Sequence, residues 1–128
     1  MHKKQTFTPI STIGEQKLIE LISKQFITSN KDTILGCGDD AAVLKKNLKK
    51  NSVVSTDMLV EGVHFDLMYT PLLHLGYKSI VVNVSDICAM NATPLQVLVS
   101  VAIPNKYSVE MVEQLYKGIA RACSNYNI

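Results

Sequence analysis

The chain has 128 residues, 47% of them apolar and 19% charged, with a formal net charge of +2. That composition supports one compact domain with a genuine core and excludes a disordered chain. So small a charge gives no basis for binding nucleic acid or an anionic membrane, and the longest apolar run, residues 95–103, is far too short to span a bilayer.

In chain order, Met1 to Thr6 is polar and lacks the apolar stretch of a signal peptide, which is the expectation for a cytoplasmic protein. Residues before Gly14 read as an extended arm. Glu15 to Phe26 reads as an amphipathic helix, with Leu18, Ile22 and Phe26 at i, i+4 and i+8. Thr33 to Leu35 is a short strand candidate, followed by the turn Gly36-Cys37-Gly38-Asp39-Asp40. Ala41 to Leu44 and Ser52 to Ser55 read as strands flanking the lysine-rich turn 45–50, so a hairpin between them is expected.

Thr70-Pro71 signals a helix start, with the hydroxyl at the N-cap and proline at the first helical position. No breaker other than Gly76 follows before Asn91, so one long helix is expected. Ser79, Asn83, Asp86 and Met90 share one of its faces. Leu95 to Ile103 is apolar on both faces, which predicts a central strand. Ser108 caps a last helix, with Glu110 in its first turn, a Glu113–Lys117 pair at i, i+4, and Val112, Leu115, Ile119 and Cys123 facing inward. Helices interleaved with short strands place the chain in the α/β class. The three cysteines, Cys37, Cys88 and Cys123, have no zinc-ligand spacing and read as reduced thiols, two of them in the core.

Three acids carry the candidate chemistry. Asp40 follows a glycine turn, Asp57 ends a strand in "STDMLVEGVHF" (55–65), and Asp86 interrupts an apolar helix. Hard cations such as Mg²⁺ take oxygen ligands, and carboxylates from three elements, with the Ser55 and Thr56 hydroxyls, suit a metal–phosphate site. Each acid also has a structural reading: a turn residue, a helix N-cap, or a partner for a distant lysine. His64 alone reads as an ordinary loop histidine more readily than as a ligand. There is no P-loop, and Gly36-Cys37-Gly38 lacks the third glycine of a dinucleotide fingerprint.

Taken together, Gly14-Glu15, "GCGDDAAVL" (36–44), "STDMLVEGVHF" (55–65), "LGYKSIVVNVSDICAMNATP" (75–94) and "VSVAIP" (99–104) closely resemble the thiamine-monophosphate kinases. The resemblance runs in unbroken order from Gly14 to the end of the chain. It implies ATP- and Mg²⁺-dependent phosphorylation of thiamine monophosphate to thiamine diphosphate. It also implies the N-terminal domain of the aminoimidazole ribonucleotide synthetase-like fold, a mixed sheet packed by helices that pairs with a second copy across a homodimer. Carried over by motif position, Asp40, Ser55, Thr56, Asp57 and Asp86 are metal ligands, and Asp86 bridges several ions. His64 contacts the thiamine phosphate, and Tyr116 falls where the family touches the nucleotide. No catalytic base is identified.

Two departures accompany the resemblance. Asn91 stands where family members often have glycine at the helix C-terminus. The family's glycine-glycine-aspartate turn and second α/β domain do not follow. The expectation is therefore a single N-terminal metal- and ATP-binding domain over residues 1–128, with little activity in isolation. The alternatives are a non-catalytic dimerisation module and another ATP-dependent enzyme of the same superfamily.

Overall fold

The computed structural model describes residues 7–26, 30–37 and 41–128. Its elements are α1 (Ile10–Ser23), β1 (Thr33–Leu35), β2 (Val43–Leu44), α2 (Leu72–Ala89) and α3 (Val109–Tyr126). The chain is α/β, with β1 and β2 forming a two-stranded antiparallel sheet. No helix among the described residues is long and apolar enough to cross a membrane.

Three helices make the core. Leu18 and Ile22 of α1, Ile80 and Val84 of α2, and Val112, Tyr116, Ile119, Ala122 and Cys123 of α3 form one buried cluster. Burying side chains of this size is worth about 1.5–3 kcal/mol each. Phe26 closes the cluster at one end, its ring edge-on to Tyr116 with centroids 6.2 Å apart. That pairing sits within the favoured aromatic range.

The closest approach in the fold is between α2 and α3. A Cβ on Gly76 would run into the backbone carbonyl of Leu115, and a Cβ on Gly118 into the carbonyl of Leu73. The two helices therefore touch backbone to backbone, each glycine facing a carbonyl of the other helix. No side-chain rotation relieves such a clash, because the obstructing atoms belong to the main chain.

The helix ends follow local rules. Ser108 caps α3, its Oγ accepting from the Met111 N–H at 3.4 Å. Asn91 has φ 54°; its N–H donates to the Cys88 carbonyl at 2.9 Å and the Ala92 N–H to the Ile87 carbonyl at 3.1 Å. This is a Schellman termination, in which asparagine takes the left-handed place more often given to glycine. Asn127 ends α3 in the same way, at φ 55°. Gly14 has φ 75° and ψ 172°, a region that only glycine occupies readily. It breaks the helical path inside α1, so Glu15 opens the regular helix as expected, while the arm before it coils into a turn in which the Thr12 N–H donates to the Pro9 carbonyl at 3.0 Å.

Several expectations are corrected. Pro71, not Thr70, occupies the N-cap of α2, and no side chain caps it. The Thr70 N–H is instead consumed by the Asp66 carbonyl at 2.8 Å, in a turn that precedes the helix. The β2 strand pairs with β1 rather than with residues 52–55. Residues 51–59 and 93–104 form no strand. Leu98 is 89% exposed and Val54 88%, so the segment expected at the centre of a sheet lies at the surface. Within the described residues neither segment has a ladder partner, and a strand exists only through its neighbour's hydrogen bonds. Among the cysteines only Cys123 is buried; Cys37 and Cys88 are exposed. The i,i+3 pair Lys17–Glu20, at 3.0 Å, is the ion pair found among the described residues, and Glu113–Lys117 is not formed.

The start of α3 is also tied to the arm. The Thr8 N–H donates to both carboxylate oxygens of Glu110, at 3.1 and 3.0 Å, and the Val109 N–H donates to the Thr8 carbonyl at 2.9 Å. Hydrogen bonding to Thr8, with smaller contributions from Glu110's own N–H and Ser108, lowers the Glu110 carboxyl from 4.5 to about 2. A depressed carboxyl stabilises the fold above its unfolded value, and that stability is lost as pH falls through the folded value.

Two outcomes are expected from these contacts. Gly118→Ala lowers stability in urea titration by about 1–3 kcal/mol or more, the cost of overpacking where neighbours cannot yield, and Gly76→Ala does the same. Stability followed by circular dichroism falls as pH is lowered from about 4.5 to about 2, and Glu110→Gln flattens that part of the profile.

Candidate functional site

The opening residues of "STDMLVEGVHF" have no sheet to hold them, so side chains position them. The Ser55 hydroxyl donates to Asp86 Oδ2 at 3.1 Å, joining residues 31 apart in sequence. Asp86 lies in the last turn of α2, beyond the last of its buried residues Leu75, Gly76, Ile80 and Val84. Its carboxylate is exposed rather than embedded in the core, which removes the desolvation cost a buried acid would carry. Ser55 is half-buried, and Thr56 and Asp57 beside it are exposed.

The structure thus brings together two of the five residues expected to ligate metal, Ser55 and Asp86. Asp40 lies outside the described residues. Among the described residues no three His, Cys, Asp or Glu side chains form a metal-binding group. The Ser55–Asp86 pair offers only oxygen donors, the chemistry that hard divalent cations select.

His64 sits in a tight loop. Its N–H donates to the Val60 carbonyl at 2.9 Å, the Val63 N–H to the same carbonyl at 3.2 Å, and the Gly62 N–H to the Phe65 carbonyl at 2.8 Å. The imidazole closes the loop on itself, with Nδ1 accepting from the Val60 N–H at 3.1 Å. Two outside groups anchor the loop. Lys78 of α2 donates to the His64 carbonyl at 3.0 Å, and the Tyr107 hydroxyl donates to Glu61 Oε2 at 3.1 Å.

Tyr116 is placed in the core of α3, 8% exposed. Burial, and secondarily the Cys37 thiol, pushes its phenol above the usual tyrosine range. An open groove of about 510 Å³ runs between α2 and α3 past His74, Tyr77, Lys78 and Arg121. Neither Ser55 nor Asp86 lines it, so the groove and the carboxylate site are separate features.

Lys78 is the residue that reading by motif passed over. It lies inside "LGYKSIVVNVSDICAMNATP", and a cation on an otherwise apolar helix was the available signal. Its partner is a backbone carbonyl, which no sequence pattern marks.

The chain is 35% identical over 118 residues to a thiamine-monophosphate kinase of Synechococcus elongatus, covering 92% of this chain and 34% of that protein. It is 40% identical over 117 residues to one of Aquifex aeolicus, covering 91% and 36%. It is 43% identical over 100 residues to one of Buchnera aphidicola subsp. Schizaphis graminum, covering 74% and 30%. The chain spans about a third of the length of these relatives. The family described as AIR synthase related protein, N-terminal domain, matches residues 38–128, well over half of the chain. On that match the chain belongs to the AIR synthase related proteins, as their N-terminal domain.

Proposed function

We propose that this chain is the N-terminal metal- and ATP-binding domain of an enzyme that phosphorylates thiamine monophosphate to thiamine diphosphate, with ATP as co-substrate and Mg²⁺ as cofactor. The observation that carries the reading is the meeting of Ser55 and Asp86. The relatives named thiamine-monophosphate kinase supply the substrate class. Mg²⁺ with oxygens at 2.0–2.1 Å in an octahedron sets adjacent ligand oxygens about 2.9 Å apart. The separation of Ser55 Oγ and Asp86 Oδ2, 3.1 Å, fits such an edge.

In this reading Asp40, Ser55, Thr56, Asp57 and Asp86 hold the metal ions. Bound Mg²⁺ supplies charge neutralisation at the phosphate oxygens, which is most of what phosphoryl transfer requires of its site. Asp86, exposed on a rigid helix, supplies a fixed anchor for them. Ser55 turns its hydroxyl proton toward Asp86 and leaves its lone pairs for a cation. His64 meets the substrate phosphate, and Tyr116 stands beside the nucleotide from within α3. The free thiols Cys37, Cys88 and Cys123 suit a reducing, cytoplasmic setting.

The reading includes a homodimer. The chain exposes 10198 Å², whereas a compact monomer of 14.1 kDa exposes about 6700 Å². Residues 51–59 and 93–104 contribute exposed Val53, Val54, Leu95, Leu98, Val99 and Val101 to that excess. Pairing these segments with those of a second copy would complete the missing ladders and remove an association hazard.

Calorimetric titration of ATP into the chain checks the site. Binding is expected to require Mg²⁺, to weaken about tenfold or more in Asp86→Asn, since hydrogen-bonded charges are worth about 1.5–3 kcal/mol, and to weaken less in Ser55→Ala. Nucleotide binding that ignores both Mg²⁺ and Asp86→Asn would sink the reading. Sedimentation checks the dimer: the chain is expected to sediment as a pair, and the double variant Val54→Lys, Leu98→Lys as a monomer with unchanged helical circular dichroism.

A further inference from the structure

His64 has two ring nitrogens, and the fold uses one of them internally. Nδ1 accepts from the Val60 N–H at 3.1 Å. An acceptor nitrogen carries no proton, so in the neutral ring the proton resides on Nε2. The geometry that enforces this is local and closed. The Val60 carbonyl takes the His64 N–H while the Val60 N–H meets the ring, so the two residues exchange bonds across one turn. Gly62, at φ 80°, allows the chain to reverse between them. The residue remains exposed, and among the described residues no partner is found for Nε2.

The turn alone spans few residues and lies in a region without sheet. Tyr107 holds it at Glu61, and its link to α2 is Lys78, whose ammonium donates to the His64 carbonyl at 3.0 Å. Lys78 is on α2, two residues from Gly76 and the backbone contact with α3. The close α2–α3 contact is thus joined through the Lys78 side chain to the backbone of His64.

The geometry points to Lys78 as a positioning residue that holds the His64 turn, so that the imidazole presents Nε2–H outward as a hydrogen-bond donor. An outward N–H selects an acceptor, and an anionic phosphate oxygen accepts more strongly than a neutral one. The ligand class rests on the reading of His64 as a substrate-phosphate contact; the tautomer and the role of Lys78 do not.

The test uses the ¹⁵N-labelled chain without ligand, at about pH 8 and so above the ordinary histidine range. Two-bond proton–nitrogen correlation spectra are expected to show His64 protonated at Nε2, with the Val60 amide protected from exchange. In Lys78→Met the Val60 amide is expected to exchange about tenfold faster or more and the two tautomers to mix, while Lys78→Arg, which keeps a cationic donor, restores both signatures. A proton on Nδ1 in the unaltered chain overturns the inference. So does a folded Lys78→Met with an unchanged Val60 exchange rate and tautomer. Should Lys78→Met not fold, Lys78→Gln, which keeps a neutral donor, is read by the same two signatures against the unaltered chain. Adding inorganic phosphate then separates the two readings: a shift at Nε2 supports both, whereas no shift in a chain with the Nε2–H tautomer counts against the substrate contact alone.

Discussion

The structure depends on the place where α2 and α3 meet without side chains between them. Gly76 and Gly118 each face a carbonyl of the opposite helix, and neither position has room for a methyl group. That contact sets which side of α2 is buried. Leu75, Ile80 and Val84 turn inward with it, and Lys78 and Asp86 are left exposed. The polar groups of the candidate site are therefore placed by an apolar contact elsewhere on the same helix. An α-helix is stiff over this length, so a constraint at Gly76 is transmitted to Asp86 by geometry alone.

The segment from Ser55 to Phe65 is organised differently. It has no regular strand or helix to carry it, yet its residues are tied down at both ends and in the middle. Ser55 binds Asp86, Glu61 binds Tyr107, and the His64 carbonyl binds Lys78. Two of those three partners are on α2. The helix acts as a spine along which a loop is pinned by polar side chains, and each pin is one hydrogen bond of modest net worth. A loop held this way keeps its functional groups in place while remaining open to ligand, which sheet pairing on both edges would hinder.

Much of the helical part was legible. The apolar spacing of 15–26, the unbroken run after Pro71 and the Ser108 cap all predicted helices that are present, because helix signals lie within a few residues of the bonds they specify. Asn91 was readable for the same reason: a C-terminal residue must adopt φ > 0, and asparagine tolerates it. The strands were not readable in the same way. Ser52 to Ser55 and Leu95 to Ile103 have strand composition but no partner among the described residues, and composition cannot specify where a partner lies. Asp86 and Ser55, both singled out as polar residues out of place, meet in the fold, and Asp86 is exposed rather than embedded in an apolar helix. Lys78 carried no local sign of its role, since its partner is a carbonyl fourteen residues earlier.

From residue order alone came the helices, the Ser108 cap, the family likeness and the types of donor gathered in the motifs. These follow from interactions between near neighbours, or from the chemistry of the side chain itself. The tertiary structure decided which of those donors meet. Ser55 reaches Asp86, and Lys78 reaches His64, only because two glycines let α2 lie directly on α3 and fix its rotation. Distances across 31 or 14 residues are set by packing, and packing is a property of the folded whole.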